Sequence, residues 1–381
     1  MANERLQRLH DAGVSIWLDF IEREMLRNGD LERRIRDEAL TGMTSNPTIF
    51  EKALSEGTVY DDQIRTAPGD LTAAELFELI ATTDVREACD IFRPVFERTG
   101  GRDGFVSIEV SPAMAHKLLG TESEATRLWS TVDRANVMVK VPGTVEGAQA
   151  VRRLIAAGIN INITLLFSLQ AYRSVIDAYM AGLEDRLAGG KLIKGIASVA
   201  SFFVSRVDTE TDKRLDALMA KARLQERPQL EALKGKAAIA NAKLAYRIFQ
   251  QEFASPRWRA LEAKGATVQR VLWASTSTKN PAYRDVMYVE DLIGPHTVNT
   301  MPPKTIDAFK DHGIVERTVD RSVADAERVI QDLAQAGISI DDVTEKLLVD
   351  GLASFQKSFD GLIAGLARKT KALGRDLVAS R

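Results

Sequence analysis

A chain of 381 residues, 45% of them hydrophobic, is long enough to bury a large core and fits either one elaborated α/β barrel or two ordinary domains. Its 51 basic and 53 acidic residues leave a formal net charge of −2, without the positive excess that a polyphosphate backbone requires, which argues against a nucleic-acid partner. Cys89 is the single cysteine, the segment Met1 to Gly13 is polar, and no apolar run is long enough to cross a bilayer; together these predict a soluble cytoplasmic protein with no internal disulfide and no membrane attachment.

Eight short apolar or alternating runs follow in chain order: Ser15 to Phe20, Leu40 to Ser45, Phe105 to Val110, Val137 to Val141, Ile159 to Leu166, Gly195 to Ser201, Val268 to Ser275 and Thr297 to Met301. Amphipathic helical stretches separate them. Thr72 with Glu75 and Thr121 with Glu124 read as capping boxes, and Gly158 and Gly189 stand where helices end. This βα repetition favours parallel strands. No Gly/Ser-rich linker, low-complexity tract or repeat divides the chain, so residues 1–381 are read as one elaborated (βα)8 barrel, with a doubly wound sheet as the alternative.

A minimal barrel needs about 250 residues. The surplus falls in a helical insertion between strands six and seven, residues 208–261, and in C-terminal helices, residues 302–381. Within the insertion, residues 234–253 have helical periodicity and a basic edge, the pattern of a packing or subunit-contact helix. A homo-oligomer stays open on this reading.

Side chains alternate between the faces of a strand. In GININITLLFS the face carrying Asn160, Asn162 and Thr164 opposes one carrying four apolar residues, so the polar face points into the barrel. The same parity sets Asp19 inward in WLDF, Ser107 and Glu109 in FVSIEV, and Met138 and Lys140 in VMVKV. Ser201 and Ser275 are expected to close their own strands. A lone inward hydroxyl is ordinarily a satisfied core group, and a lone buried Asp–Lys pair can be structural. Many polar side chains at adjacent strand ends are different, because burying them all costs several kcal/mol unless they line an open pocket. In barrels that pocket is at the carboxyl ends of the strands.

Lys140 interrupts an apolar run, and such a setting disfavours the charged form and frees the neutral amine to attack a carbonyl. The resulting imine is an electron sink, and carboxylates such as Asp19 and Glu109 would move the protons. The four histidines, His10, His116, His296 and His312, are scattered without a ligand spacing, which disfavours a metal. No GxGxxG or GxxxxGKS stretch suggests a nucleotide cofactor.

The motifs TSNPTIF (44–50), SIEVSP (107–112), VMVKVPGT (137–144), GININITLLFS (158–168) and SFFVSRVD (201–208) together resemble the transaldolases. The resemblance implies a cofactor-free transfer of a dihydroxyacetone unit between sugar phosphates. It likens Lys140 to the imine-forming lysine and Asp19 to the residue that takes the hydroxyl proton as the carbon–carbon bond breaks. Glu109 and Thr164 would manage the catalytic water, Asn46, Asn162 and Ser201 would hold hydroxyls, and Arg206 would meet the phosphate. Many transaldolases carry an arginine just after the seventh-strand serine. Here Ser275 is followed by TSTKN, leaving Lys279 as the nearest basic residue. An aldolase-like lyase and a non-catalytic sugar-phosphate binder are the rival readings; Glu109, where the aldolase relatives carry glutamine, favours transfer.

Overall fold

The computed structural model describes residues 3–55 and 57–378; Met1 and the last positions of the expected C-terminal stretch, 379–381, lie outside the described residues. Eight parallel strands close a barrel in chain order: β1 Val14–Asp19, β2 Leu40–Thr44, β3 Phe105–Glu109, β4 Val137–Pro142, β5 Ile161–Leu166, β6 Ser198–Phe203, β7 Arg270–Ala274 and β8 Thr297–Met301. β1 pairs with both β2 and β8, which leaves the sheet without an edge. Every predicted strand forms, and the doubly wound alternative is excluded.

Three boundaries differ from expectation. Gly195 lies before β6 in a left-handed turn at φ +87°, so Ser201 sits inside its strand rather than closing it. β5 begins after Asn160, whose amide donates to the carbonyls of Ala135 and Val137 while its carbonyl accepts from Ala197 N–H. Asn160 is buried, and its side chain pins neighbouring chains at the start of their strands, far from the carboxyl ends. β7 ends at Ala274, and Ser275 follows at φ +56°.

Local helix signals fared unevenly. Thr72 and Glu75 make the reciprocal cap at the start of the helix Ala73–Arg98. Thr121 and Glu124 do not, because their helix starts earlier, at Leu118. Instead Thr121 donates to Met114 O and Glu124 accepts from Ser111 N–H, fastening the loop after β3. Gly158 ends its helix in the left-handed region at φ +98°. After Gly189 the left-handed residue is the next one, Gly190.

Trp17 plugs the lower barrel. It lies in register with Gly42, where any Cβ would come within 2.5 Å of the indole, so only glycine fits. The indole N–H donates to Asp103 at 2.8 Å, and Asp103 also accepts from Ser15 Oγ and pairs with Arg270 at 3.4 Å.

The surplus residues are helical. Ser205–Met219, Arg227–Glu231, Ala237–Glu252 and Pro256–Glu262 stand between β6 and β7. Ala237–Glu252 buries ten of its residues against the protein's own helices, which makes it a packing helix. After β8 come Pro303–His312, Val323–Gln335 and the 33-residue helix Ile340–Ala372. The last packs along the helix Pro47–Ser55 that opens at the mouth of the barrel, joined by a 2.9 Å bond between Thr48 and Ser358.

Candidate active site

A cavity of about 960 Å³ opens at the carboxyl ends of the strands, the size of a small-molecule site. Asp19, Asn46, Lys140, Thr164, Ser201, Arg206, Ser275 and Lys279 all line it. Glu109 and Asn162 stand one bond behind its wall.

Strand register brings these groups together. β3 and β4 set Glu109 beside Lys140, and β5 sets Asn162 on the other side of Lys140. Lys140 Nζ donates to Glu109 Oε2 and to the Ser45 carbonyl, both at 2.9 Å. The lysine is 5% exposed. The apolar setting expected from its strand is therefore incomplete: the flanking valines point outward, and the amine meets a carboxylate and a carbonyl from neighbouring strand ends.

The two carboxylates respond to the same environment. Burial pushes Glu109 up, against the opposing pull of Lys140. Asp19 is also raised by burial, with Lys140, Thr44, Lys279 and Arg206 pulling it down. Both are thus raised above the ordinary carboxylate value, with burial as the largest cause. Asp19 accepts from Thr44 Oγ1 at 2.8 Å, and Thr44 in turn lies 2.6 Å from Thr300 Oγ1. Thr44 and Thr300 were not singled out from sequence, and neither LTGMT nor TVNTM alternates polar against apolar in a way that marks them.

Hydroxyls and amides form a second line. Asn162 donates to Ser107 Oγ at 3.0 Å and accepts from Ser201 Oγ at 2.7 Å. Asn162 is fully buried, so it holds Ser201 in place from behind. Asn46 sits at the mouth, its carbonyl accepting from Ile49 N–H at the start of the following helix. Thr164 Oγ1 is buried and has no hydrogen-bond partner among the described residues. The next residue, Leu165, adopts φ +58°, and the β5–β6 register slips between Ile163 and Leu166. A bulge of this kind re-aims side chains beside active sites and stores on the order of 1 kcal/mol of strain.

Two cations face the cavity without acidic partners among the described residues. Arg206 lies over the Phe203 ring at 5.3 Å. Lys279, more exposed, donates to Ser277 Oγ at 2.6 Å. Burial lowers Arg206, and burial together with the Arg206 charge lowers Lys279. A cation so placed is relieved by an anion from outside. Among the described residues no His/Cys/Asp/Glu group could hold a metal ion, and no helix is long and apolar enough to cross a membrane.

A family model for transaldolase/fructose-6-phosphate aldolase matches residues 16–366. A transaldolase of Trichodesmium erythraeum is 47% identical over 98% of this chain and 99% of its own length. The transaldolase 2 of a Nostoc species is 46% identical over 98% and 99%, and a transaldolase of Saccharopolyspora erythraea is 48% identical over 95% and 96%.

Proposed function

From the premise that this chain belongs to the transaldolase/fructose-6-phosphate aldolase family, we propose that it transfers a dihydroxyacetone unit from a ketose phosphate to an aldose phosphate through an imine on Lys140. The observation that carries this reading is the 2.9 Å contact between Lys140 and Glu109, at the wall of a cavity lined by Asp19 and by two cations without acidic partners among the described residues.

The neutral Lys140 amine adds to the ketose C2 carbonyl, forming a carbon–nitrogen bond. Glu109 protonates the departing hydroxyl, which leaves as water, and a protonated imine remains. Asp19 takes the proton of the C4 hydroxyl, the C3–C4 bond breaks, and its electron pair moves into the imine to give an enamine. The aldose phosphate is released. An acceptor aldehyde is attacked by the enamine carbon, Asp19 returns the proton, and water held by Glu109 and Thr164 hydrolyses the product imine. Asn46 and Ser201 would bind hydroxyls of the transferred unit, with Asn162 supporting Ser201, and Ser275 would assist at the phosphate end.

Arg206 and Lys279 would hold the phosphate. Arginine offers a planar fork to a phosphate and lysine a point charge, so the proposed grip is strong on one side and weaker on the other. No step calls for a cofactor or metal. The buried Cys89 thiol fits a reducing compartment, so the cytosol is the proposed place of action.

Borohydride reduction in the presence of fructose 6-phosphate, followed by mass spectrometry, tests the reading. The expected result is a reduced three-carbon adduct on Lys140, with sedoheptulose 7-phosphate and no stoichiometric free dihydroxyacetone formed when erythrose 4-phosphate is supplied as acceptor. Release of free dihydroxyacetone as the main product identifies a lyase, and no adduct on Lys140 removes the imine.

A further inference from the structure

The helix Ser205–Met219 begins beside the cavity with Arg206 and carries, one turn apart, the two acidic residues Asp208 and Asp212. These do not line the cavity. Each instead accepts one backbone N–H and one tyrosine hydroxyl. Asp208 takes Ala238 N–H and the Tyr288 hydroxyl, both at 2.8 Å. Asp212 takes Gly235 N–H at 3.1 Å and the Tyr283 hydroxyl at 2.5 Å. The two amides open the inserted helix Ala237–Glu252, and the two tyrosines belong to the connection between β7 and β8. Three segments distant in sequence are thereby stitched at one place. Burial and the neighbouring carboxylates push both phenols upward, so both hydroxyls stay donors at physiological pH.

The fit around Tyr283 is close. Gly235 adopts φ +67°, and a Cβ there would lie 2.8 Å from the Tyr283 ring. Tyr283 N–H donates to Asn280 O, and the Asn280 side chain accepts from Ala282 N–H at 3.0 Å. Lys279 immediately precedes this turn. Its side chain has four rotatable bonds and one short-range partner, Ser277, so its reach over the cavity is decided by where its backbone is held.

We propose that Asp208, Asp212, Tyr283 and Tyr288 form a latch that fixes the β7–β8 connection against the Arg206 helix, and so sets the distance between Arg206 and Lys279. The four are positioning residues for the preference for phosphorylated substrates. The inserted helices between β6 and β7 then have a purpose: they supply the amides that hold the two carboxylates. This inference rests on the proposed phosphate role of Arg206 and Lys279.

The test compares Tyr283→Phe, Tyr288→Phe, Lys279→Ala, Arg206→Ala and the double variant Lys279→Ala/Tyr283→Phe with the wild type, using fructose 6-phosphate or fructose as donor and erythrose as acceptor, with sedoheptulose as the product followed. Loss of one hydrogen bond to a carboxylate predicts that each Phe variant raises KM for fructose 6-phosphate about 3- to 10-fold. KM for fructose and both kcat values should change less than about twofold. In the double variant the Tyr283 effect should vanish, because its action passes through Lys279. Two results overturn the latch alone: Lys279→Ala weakens fructose 6-phosphate while the Phe variants do not, or the two effects multiply. If Arg206→Ala and Lys279→Ala both leave the KM for fructose 6-phosphate unchanged, the phosphate assignment fails and the latch fails with it.

Discussion

At the amino-terminal end of the barrel Arg270 stands 3.4 Å from Asp103, which also accepts from Trp17 and Ser15. At the carboxyl end Arg206 and Lys279 face open space with no acidic partner among the described residues, and Asp19 and Glu109 share the neighbourhood of one lysine. The same residue types serve opposite ends. Below, charges are consumed by one another and by an indole; above, they are left available to a ligand. What separates a structural charge cluster from a chemical one here is not burial but whether every donor already has its acceptor.

That contrast can be broken at either end. The largest effect is expected at Lys140: Lys140→Ala should reduce transfer roughly 10⁴-fold or more, as loss of a covalent nucleophile does, and abolish borohydride trapping in protein that circular dichroism shows to be folded. Next, Glu109→Gln keeps the shape but removes the proton carrier, and stopped-time assays should record a loss of about 10²- to 10⁴-fold in kcat. At the other end Asp103→Ala strands Arg270 and the Trp17 N–H. Urea unfolding should show about 3–5 kcal/mol lost, while kcat per folded molecule stays within about twofold.

Smaller effects sharpen the comparison. Arg206→Ala removes a charge-assisted contact of about 1.5–3 kcal/mol, a rise of roughly 10- to 150-fold in KM for fructose 6-phosphate, with Lys279→Ala showing a weaker version and fructose little affected by either. The smallest concerns Asp208, which burial pushes up to about 7. A carboxyl raised in the folded state favours folding when protonated, so its contribution is complete below the ordinary range near 4 and is lost as pH rises through 7. Tyr288, Asp212 and the backbone amides of Ala237 and Ala238 are the groups that face it. Between pH 5 and 8 the wild type should lose on the order of 1–2 kcal/mol that Asp208→Asn does not lose; equal slopes in urea titrations of the two proteins would remove Asp208 as the source.

Much of the upper end was legible because strand parity is a local property. The alternation in FVSIEV and VMVKV required Glu109 and Lys140 to share the inward face, and neighbouring strands in a barrel set them side by side. Parity says nothing of height along the barrel, which is why Asn160 and Asn162, two residues apart in one alternating run, divide between a structural tie and a support behind the wall of the site. Register also hides partners: the Thr44–Asp19 bond needs β1 and β2 aligned. The lower end was opaque, since Asp103 lies in a Gly-rich turn with no periodicity to mark it. The latch was hidden by distance, with 71 and 80 residues between its hydrogen-bonded side chains, and the Thr121 cap failed because the helix already starts at Leu118.

The Trp17 plug has a consequence for traffic. With the indole and the Asp103–Arg270 pair occupying the lower barrel, sugars would enter and leave at the carboxyl ends of the strands. On the proposed mechanism a three-carbon unit tethered to Lys140 would stay inside while the first aldose phosphate left past Arg206, and the next would meet the same two cations on its way in. That mechanism would then run by alternation, the tethered fragment waiting between the departure of one aldose and the arrival of the next.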